Sequence, residues 1–515
     1  MKKNKPSVNI SHSDFGLNAL RNDKKTLGNP NYFFNKGLEK GRQKKYKDAI
    51  DDFTQAIEIN PLDGEAFYYR GESKAWLDNY SDAILDFDKA IELNFKESQC
   101  YYNRGISKFN LGDNEGALND YNQSIELNPN HAICFFNRGR LFDKFQGFKE
   151  AILDYDKAIN INPDKALYYF ERAMSKSSIQ DYESALLDFT KAIDLEGSND
   201  FYYSNRAICK SEMGDMPGTL DDFSKAIEIN PDDVSYYNRG NCYNRLGGYE
   251  KAILDFNKSI ELNPLALYYN SRANSKYQLE DNAGAIDDFS RAIETNPLVG
   301  KYFYSRGLCN FQLDNHSSAL LDYDRAIELN YKEATCFYYR GLSRCSLNDY
   351  IGALDDFSKA IEINPLEGDS FYYRGLCKFQ LDSKDEAILD FDRAIELDYK
   401  TPFCYHYRGL SKFHVNDYEG ALNDYNRVYE IIPDDDVLFY NRGNCYSMLG
   451  EYEKAILDFN KSIELNPLAI YYDGRARIKC QLDDKIGVVE DCTQAIKLDS
   501  TKSSSYYLKG GTEIA

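Results

Sequence analysis

A basic residue followed by a small one recurs along this chain at nearly fixed intervals, and no other feature constrains the fold as tightly. The pairs run from Lys36-Gly37, Arg70-Gly71 and Arg104-Gly105 to Arg442-Gly443, Arg475-Ala476 and Lys509-Gly510. Successive pairs lie 34 residues apart, except for three intervals of 33. That makes fourteen complete units and the beginning of a fifteenth. A unit of this size cannot bury its own apolar face, so neighbouring units must stack and share one continuous core.

Each unit reads as two helices. In the second, Phe67-Tyr68-Tyr69-Arg70-Gly71 opens a first helix, and the turn Leu77-Asp78-Asn79-Tyr80 follows it. Ala83, Ile84, Phe87, Ala90 and Ile91 then form the apolar stripe of a second helix with a period of 3.6. Asn-Pro closes many units, as at Asn60-Pro61, Asn128-Pro129 and Asn263-Pro264, where proline stops the preceding helix. A longer period overlies this one. Residues 238–269 and 441–472 lie 203 positions apart and differ at four sites, as duplication of a six-repeat block would produce.

A 34-residue unit with a small residue in its first helix, Ala-x-x-x-Phe/Tyr-x-x-Ala in its second and a closing proline resembles the tetratricopeptide repeat family. The resemblance covers residues 30–515. It implies an all-α, right-handed α-α superhelical solenoid of antiparallel helix pairs, longer than one superhelical turn, with first helices lining the concave side. The implied organisation is a flexible basic N-terminal tail over 1–29, fourteen repeats over 30–502 and a partial repeat over 503–515 acting as a capping helix. A chaperone-tail clamp, known in some members, needs a lysine four residues before Asn241, Asn274 and Asn444. Tyr237, Asn270 and Tyr440 stand there instead.

Thirteen of the fourteen repeats carry arginine before the small residue, and all fourteen place an aspartate just ahead of the aromatic position of the second helix. Two matched ladders point to structural pairing, as in Arg340 with Asp356 and Arg374 with Asp390, rather than to a basic grip on an acidic ligand. The twelve cysteines also follow the repeat. Cys209, Cys242, Cys309, Cys377 and Cys445 lie two residues after the small residue, and Cys100, Cys134, Cys336 and Cys404 five before it. No Cys-x-x-Cys occurs, so they are expected to be small reduced core side chains, with the metal and disulfide readings set aside. Reduced thiols suit a cytoplasmic location. The basic start Met1–Pro6 is followed by no apolar run and is not read as a secretory signal.

His406 and His414 are eight residues apart, two helical turns rather than the single turn used for chelation. No strand precedes a glycine-rich loop. Neither an enzyme nor a cofactor is expected. A net charge of −21 opposes phosphate binding, which disfavours nucleic acid, and no apolar run is long enough for a bilayer. The expected function is a scaffold or adaptor holding a protein or peptide. An RNA-binding helical repeat and a self-associating structural protein stand as alternatives.

The family resemblance places the residues three before, and one, four and five after, the small residue on the groove. In the eighth to thirteenth repeats none of these 24 residues is charged, where the chain's 28% charge gives about seven. The candidates are Asn270, Asn274, Tyr304, Phe311, Tyr338, Tyr372, Phe379, His406, Phe413, Tyr440 and Asn444, suited to an extended or amphipathic-helical ligand with few charges. The leucines between them, such as Leu308 and Leu342, fit the packing of first helices on each other equally well. The earlier repeats differ: the fourth offers Phe136, Arg140, Asp143 and Lys144.

Overall fold

The structure is a computed structural model that describes residues 21, 28–399, 402–501 and 503–514. Those residues form 29 helices and no strand. They run as pairs, from Pro30–Arg42 with Tyr46–Ile59 through Ala334–Ser346 with Tyr350–Ile363 to Ala469–Gln481 with Lys485–Leu498, followed by Ser503–Ile514. The chain divides into two compact units at Gly248 and Tyr249, and each is a stack of such pairs. The segment 1–29, expected to be flexible, lies outside the described residues except for positions 21, 28 and 29. Arg21 is docked: its guanidinium lies 2.5 Å from both Asp63 and Glu65 and 3.8 Å from the Phe34 ring centroid.

Local chemistry sets where each helix begins and ends. Many second helices are capped by an aspartate whose carboxylate accepts the N–H three residues on, as Asp349 does from Gly352 at 3.0 Å and Asp417 from Gly420 at 2.9 Å. Glycine often stands at that third position, where a Cβ on Gly352 would lie 2.3 Å from the capping Asp349 Oδ2, although Asp181 caps Ser184 in the same way. Many first helices end in a left-handed residue, such as Asn348 at φ 62° and Asn416 at φ 65°, a conformation asparagine tolerates.

The small residue of the first helix seats the aromatic of the second. A Cβ on Gly341 would come within 2.9 Å of the Phe357 ring. Phe357 with Ala353 and Ala360 is fully buried, and the same trio recurs as Ala83, Phe87 and Ala90. At the far end, the hydroxyls of Ser504 and Ser505 both donate to Asp473 Oδ1 at 2.8 Å, and Leu508 packs on Ala476, Val488 and Cys492. The last helix thus covers an apolar face and is pinned by a carboxylate.

Candidate interaction surface

The arginine ladder occupies the crossing between helices. Arg340 donates Nε and Nη2 to Asp356, with the shortest contact 2.5 Å, and donates Nη1 to Asp324 of the preceding repeat at 2.7 Å. Asp356 is 0% exposed. Arg138 repeats the arrangement with Asp154 and, at 2.7 Å, with Asn122 Oδ1 of the repeat before. Each such guanidinium therefore ties together the second helices of two adjacent repeats through bidentate, charge-assisted bonds. It also lies over an aromatic ring three residues earlier in its own helix, 5.5 Å from Phe337 for Arg340 and 5.5 Å from Phe135 for Arg138. Arg374 with Asp390 follows the same pattern.

Sequence reasoning missed the second acceptor. It stands two residues after the ladder aspartate and is a short oxygen-bearing side chain: Thr54, Asp88, Asn122, Asp156, Thr190, Ser224 and so on to Asn460. A second cation completes many of these sites. Lys74, Lys108, Lys176, Lys210, Lys276, Arg344, Lys378, Lys412 and Lys479 reach the same aspartate that the ladder arginine holds. These first-helix cations are therefore committed to the interior of the stack.

The uncharged stripe is only partly an open surface. Tyr372 is 8% exposed and Asn270 9%, so both are buried, contrary to the groove position that the family resemblance implies. Tyr372 packs its ring on Phe391 and Tyr399, Tyr338 on Phe357 and Tyr373, and Tyr304 on Tyr323 and Tyr331. Burial pushes the Tyr304 hydroxyl up to about 12 and those of Tyr338 and Tyr372 higher. These tyrosines belong to the core between repeats. Tyr440 likewise packs on Phe459 and Tyr471, and His406 on Tyr407 and Tyr425, with burial lowering the imidazole pKa.

The residues one and four after the small residue, including Asn274, Asn444, Leu308, Leu342, Phe311, Phe379 and Phe413, are half-buried. Those five after it are exposed: Gln278, Gln312, Ser346, Gln380, His414 and Met448. The eighth to thirteenth repeats thus present a row of amide, hydroxyl, imidazole and thioether groups beside half-covered aliphatic and aromatic side chains. Among the described residues, no group of three or more His, Cys, Asp and Glu could hold a metal ion, and no helix is long and apolar enough to cross a membrane.

Models described as tetratricopeptide repeat match residues 98–131, 234–264 and 437–467 in one form and 34–94 and 270–334 in another. No curated protein matches the chain. Among solved structures, the chain is similar to a tetratricopeptide repeat protein from Parabacteroides merdae, with 22% identity, 48% of this chain and 98% of that one covered, and a TM-score of 0.35. It is similar to YrrB, described as a TPR protein with an unusual peptide-binding site, at 27% identity, 36% and 96% coverage and a TM-score of 0.34. The anaphase-promoting-complex assembly Cut9–Hcn1 is similar at 16% identity, 87% and 96% coverage and a TM-score of 0.33. Five segments match the family's models and the units between them are built as the same helix pair, so each compact unit of the chain is a stack of tetratricopeptide-type repeats.

Proposed function

We propose that the chain is a non-enzymatic scaffold that holds an uncharged stretch of a protein or peptide along the first-helix stripe of its eighth to thirteenth repeats. Proteins with this fold generally mediate protein interactions, and stacked repeats present extended binding surfaces. The observation that carries the reading is what the stripe leaves open. Gln312, Gln380 and their counterparts are exposed beside half-buried Leu308, Phe311, Phe379 and Phe413. In a chain of net charge −21, none of the 24 stripe residues is charged.

Side-chain amides can bond the backbone of a bound segment while the apolar side chains between them receive alternate side chains or one face of a helix. A charged partner would lose hydration against this surface and find no counter-ion. A phosphate backbone would find no cation, because the first-helix lysines and arginines nearby are held by ladder aspartates. A cytoplasmic location, where thiols stay reduced, is part of the proposal.

Peptide display on the full chain tests it. The expected winners are poor in Asp, Glu, Lys and Arg, and their affinity changes by no more than roughly twofold between low and high salt. Enrichment of charged peptides with a steep salt dependence overturns the reading.

A further inference from the structure

Where consecutive first helices cross, the residue four after the small residue in one repeat meets the residue two after it in the next. In the fourth and fifth repeats this joins Asp143 to Ser175, whose hydroxyl donates at 2.7 Å. In the eighth and ninth Tyr277 packs against the cluster that holds Cys309, and in the twelfth and thirteenth Phe413 packs against the one that holds Cys445. Five cysteines occupy the second of these positions, and for one of them, Cys377, the first is also cysteine. The structure brings the pair together, with Cys345 Sγ and Cys377 Sγ 3.4 Å apart. Cysteines elsewhere in the repeat are placed differently: Cys100, Cys134 and Cys404 donate to the carbonyls of Phe87, Tyr121 and Phe391. Cys345 and Cys377 remain free thiols, as their register leads one to expect, but at this crossing the two stand in contact.

Cys377 is 1% exposed, and Cys345 is half-buried on the stripe, so a small reagent reaches Cys345 first. Both sit on separate helices, Ala334–Ser346 and Gly368–Gln380, which approach within 8 Å between Cα atoms. We propose that Cys345 and Cys377 form an oxidation site at which a hydroperoxide converts two thiols into a disulfide joining the first helices of the tenth and eleventh repeats. The hydrogen bond with Cys377 holds the Cys345 thiol below its ordinary pKa, against opposing burial and the carboxylates of Asp349 and Asp356. That favours Cys345 as the attacking sulfur.

With hydrogen peroxide, the Cys345 thiolate attacks one oxygen and the O–O bond breaks. The departing hydroxide takes up the proton that Cys345 released and leaves as water, with a sulfenic acid on Cys345. Cys377 sulfur then attacks Cys345 Sγ. The S–S bond forms, the S–O bond breaks, and the hydroxide leaves with the Cys377 proton as a second water. The two thiols lose two electrons and the peroxide gains both.

The test is to expose the folded full chain to hydrogen peroxide, block free thiols by alkylation and map the linked peptides by mass spectrometry. The expected result is loss of two hydrogen masses, a peptide carrying Cys345 bound to one carrying Cys377, and reversal by dithiothreitol. Cys345→Ser abolishes the bridge. Cys377→Ser also abolishes it and leaves a Cys345 sulfenic acid that dimedone traps. Cys480→Ser, which removes the exposed cysteine, keeps the bridge. The oxidised chain also melts at a higher temperature than the reduced one, which is read on wild-type protein and does not depend on any variant folding. Oxidation confined to other cysteines, a bridge that persists in both serine variants, or a bridge that forms only in denaturant overturns the proposal.

Discussion

In the fourth repeat Arg138 faces Asp154 with no second cation, because Phe142 stands four residues on, whereas in the tenth both Arg340 and Arg344 donate to Asp356. The stripes of the same two repeats differ as well. The fourth carries Asp143, which accepts from Tyr155 at 2.6 Å and from Ser175, with Arg140 3.8 Å from Glu171. The tenth carries Leu342 and Cys345 in the places of Arg140 and Asp143. One helix-pair template therefore tolerates two electrostatic solutions. What it requires is that each buried aspartate keep at least one cation. What the stripe holds is left to vary, and this variation makes one region a polar network and the other an uncharged, half-covered face.

Breaking the tenth-repeat site at its hub gives the largest effect. Asp356→Leu leaves two partly buried guanidinium groups facing an apolar side chain, and its loss of stability is about 3–5 kcal/mol. Arg340→Leu, with Arg344 still on Asp356, loses only about 1–2 kcal/mol. Thermal denaturation of both variants checks this, and equal losses contradict the pairing. Arg138→Leu sharpens the contrast. It strips Asp154 of its cation, so the expected loss is roughly 3 kcal/mol, larger than for the same change at Arg340.

A third comparison sets Glu72 against Leu342, both one residue after the small residue. Glu72 is buried, and burial raises its carboxyl pKa from 4.5 to about 8, with the Asn103 side chain opposing the rise only in part. Between those values the folded chain holds a proton that the unfolded chain releases. Stability therefore falls as pH rises from about 4.5 and levels off above about 8, with a slope of at most about 1.4 kcal/mol per unit. Glu72→Gln removes that fall, leaving the variant more stable than wild type at pH 8.5 by roughly 2–5 kcal/mol, the upper figure being the full rise from 4.5 to about 8. Melting curves across the range test it, and parallel pH profiles for the two proteins contradict it.

Much of the fold was legible because the period is strict. The small residue, the second-helix Ala-Phe-Ala trio and the aspartate sixteen residues past each arginine all appear in the sequence at constant offsets. The oxygen-bearing residue two after the aspartate was equally visible, but on one helix it looks like ordinary solvated surface. Its partner comes from the next repeat. The tyrosines show where periodicity stops. It places Tyr338 on a face of its own helix but carries no information on how deeply the neighbours cover that face. Tyr373 of the following repeat and Phe357 of the same one bury its ring. The Cys345–Cys377 approach was hidden for the same reason, since it depends on where two first helices cross.

The open part of the stripe remains the centre of the functional account, and exposed positions test it without disturbing the core. Gln312→Glu with Gln380→Glu places two charges on the stripe. Leu321→Glu with Leu389→Glu places two at second-helix residues that are 71% and 67% exposed. The decisive measurement is the affinity of one display-selected uncharged peptide for wild type and for both double variants, with melting temperatures recorded alongside. The expected result is at least about fivefold weaker binding, about 1 kcal/mol, for the stripe variant alone, with all three proteins melting together. Unchanged affinity in the stripe variant, or loss in the second-helix variant instead, contradicts the placement of the binding surface.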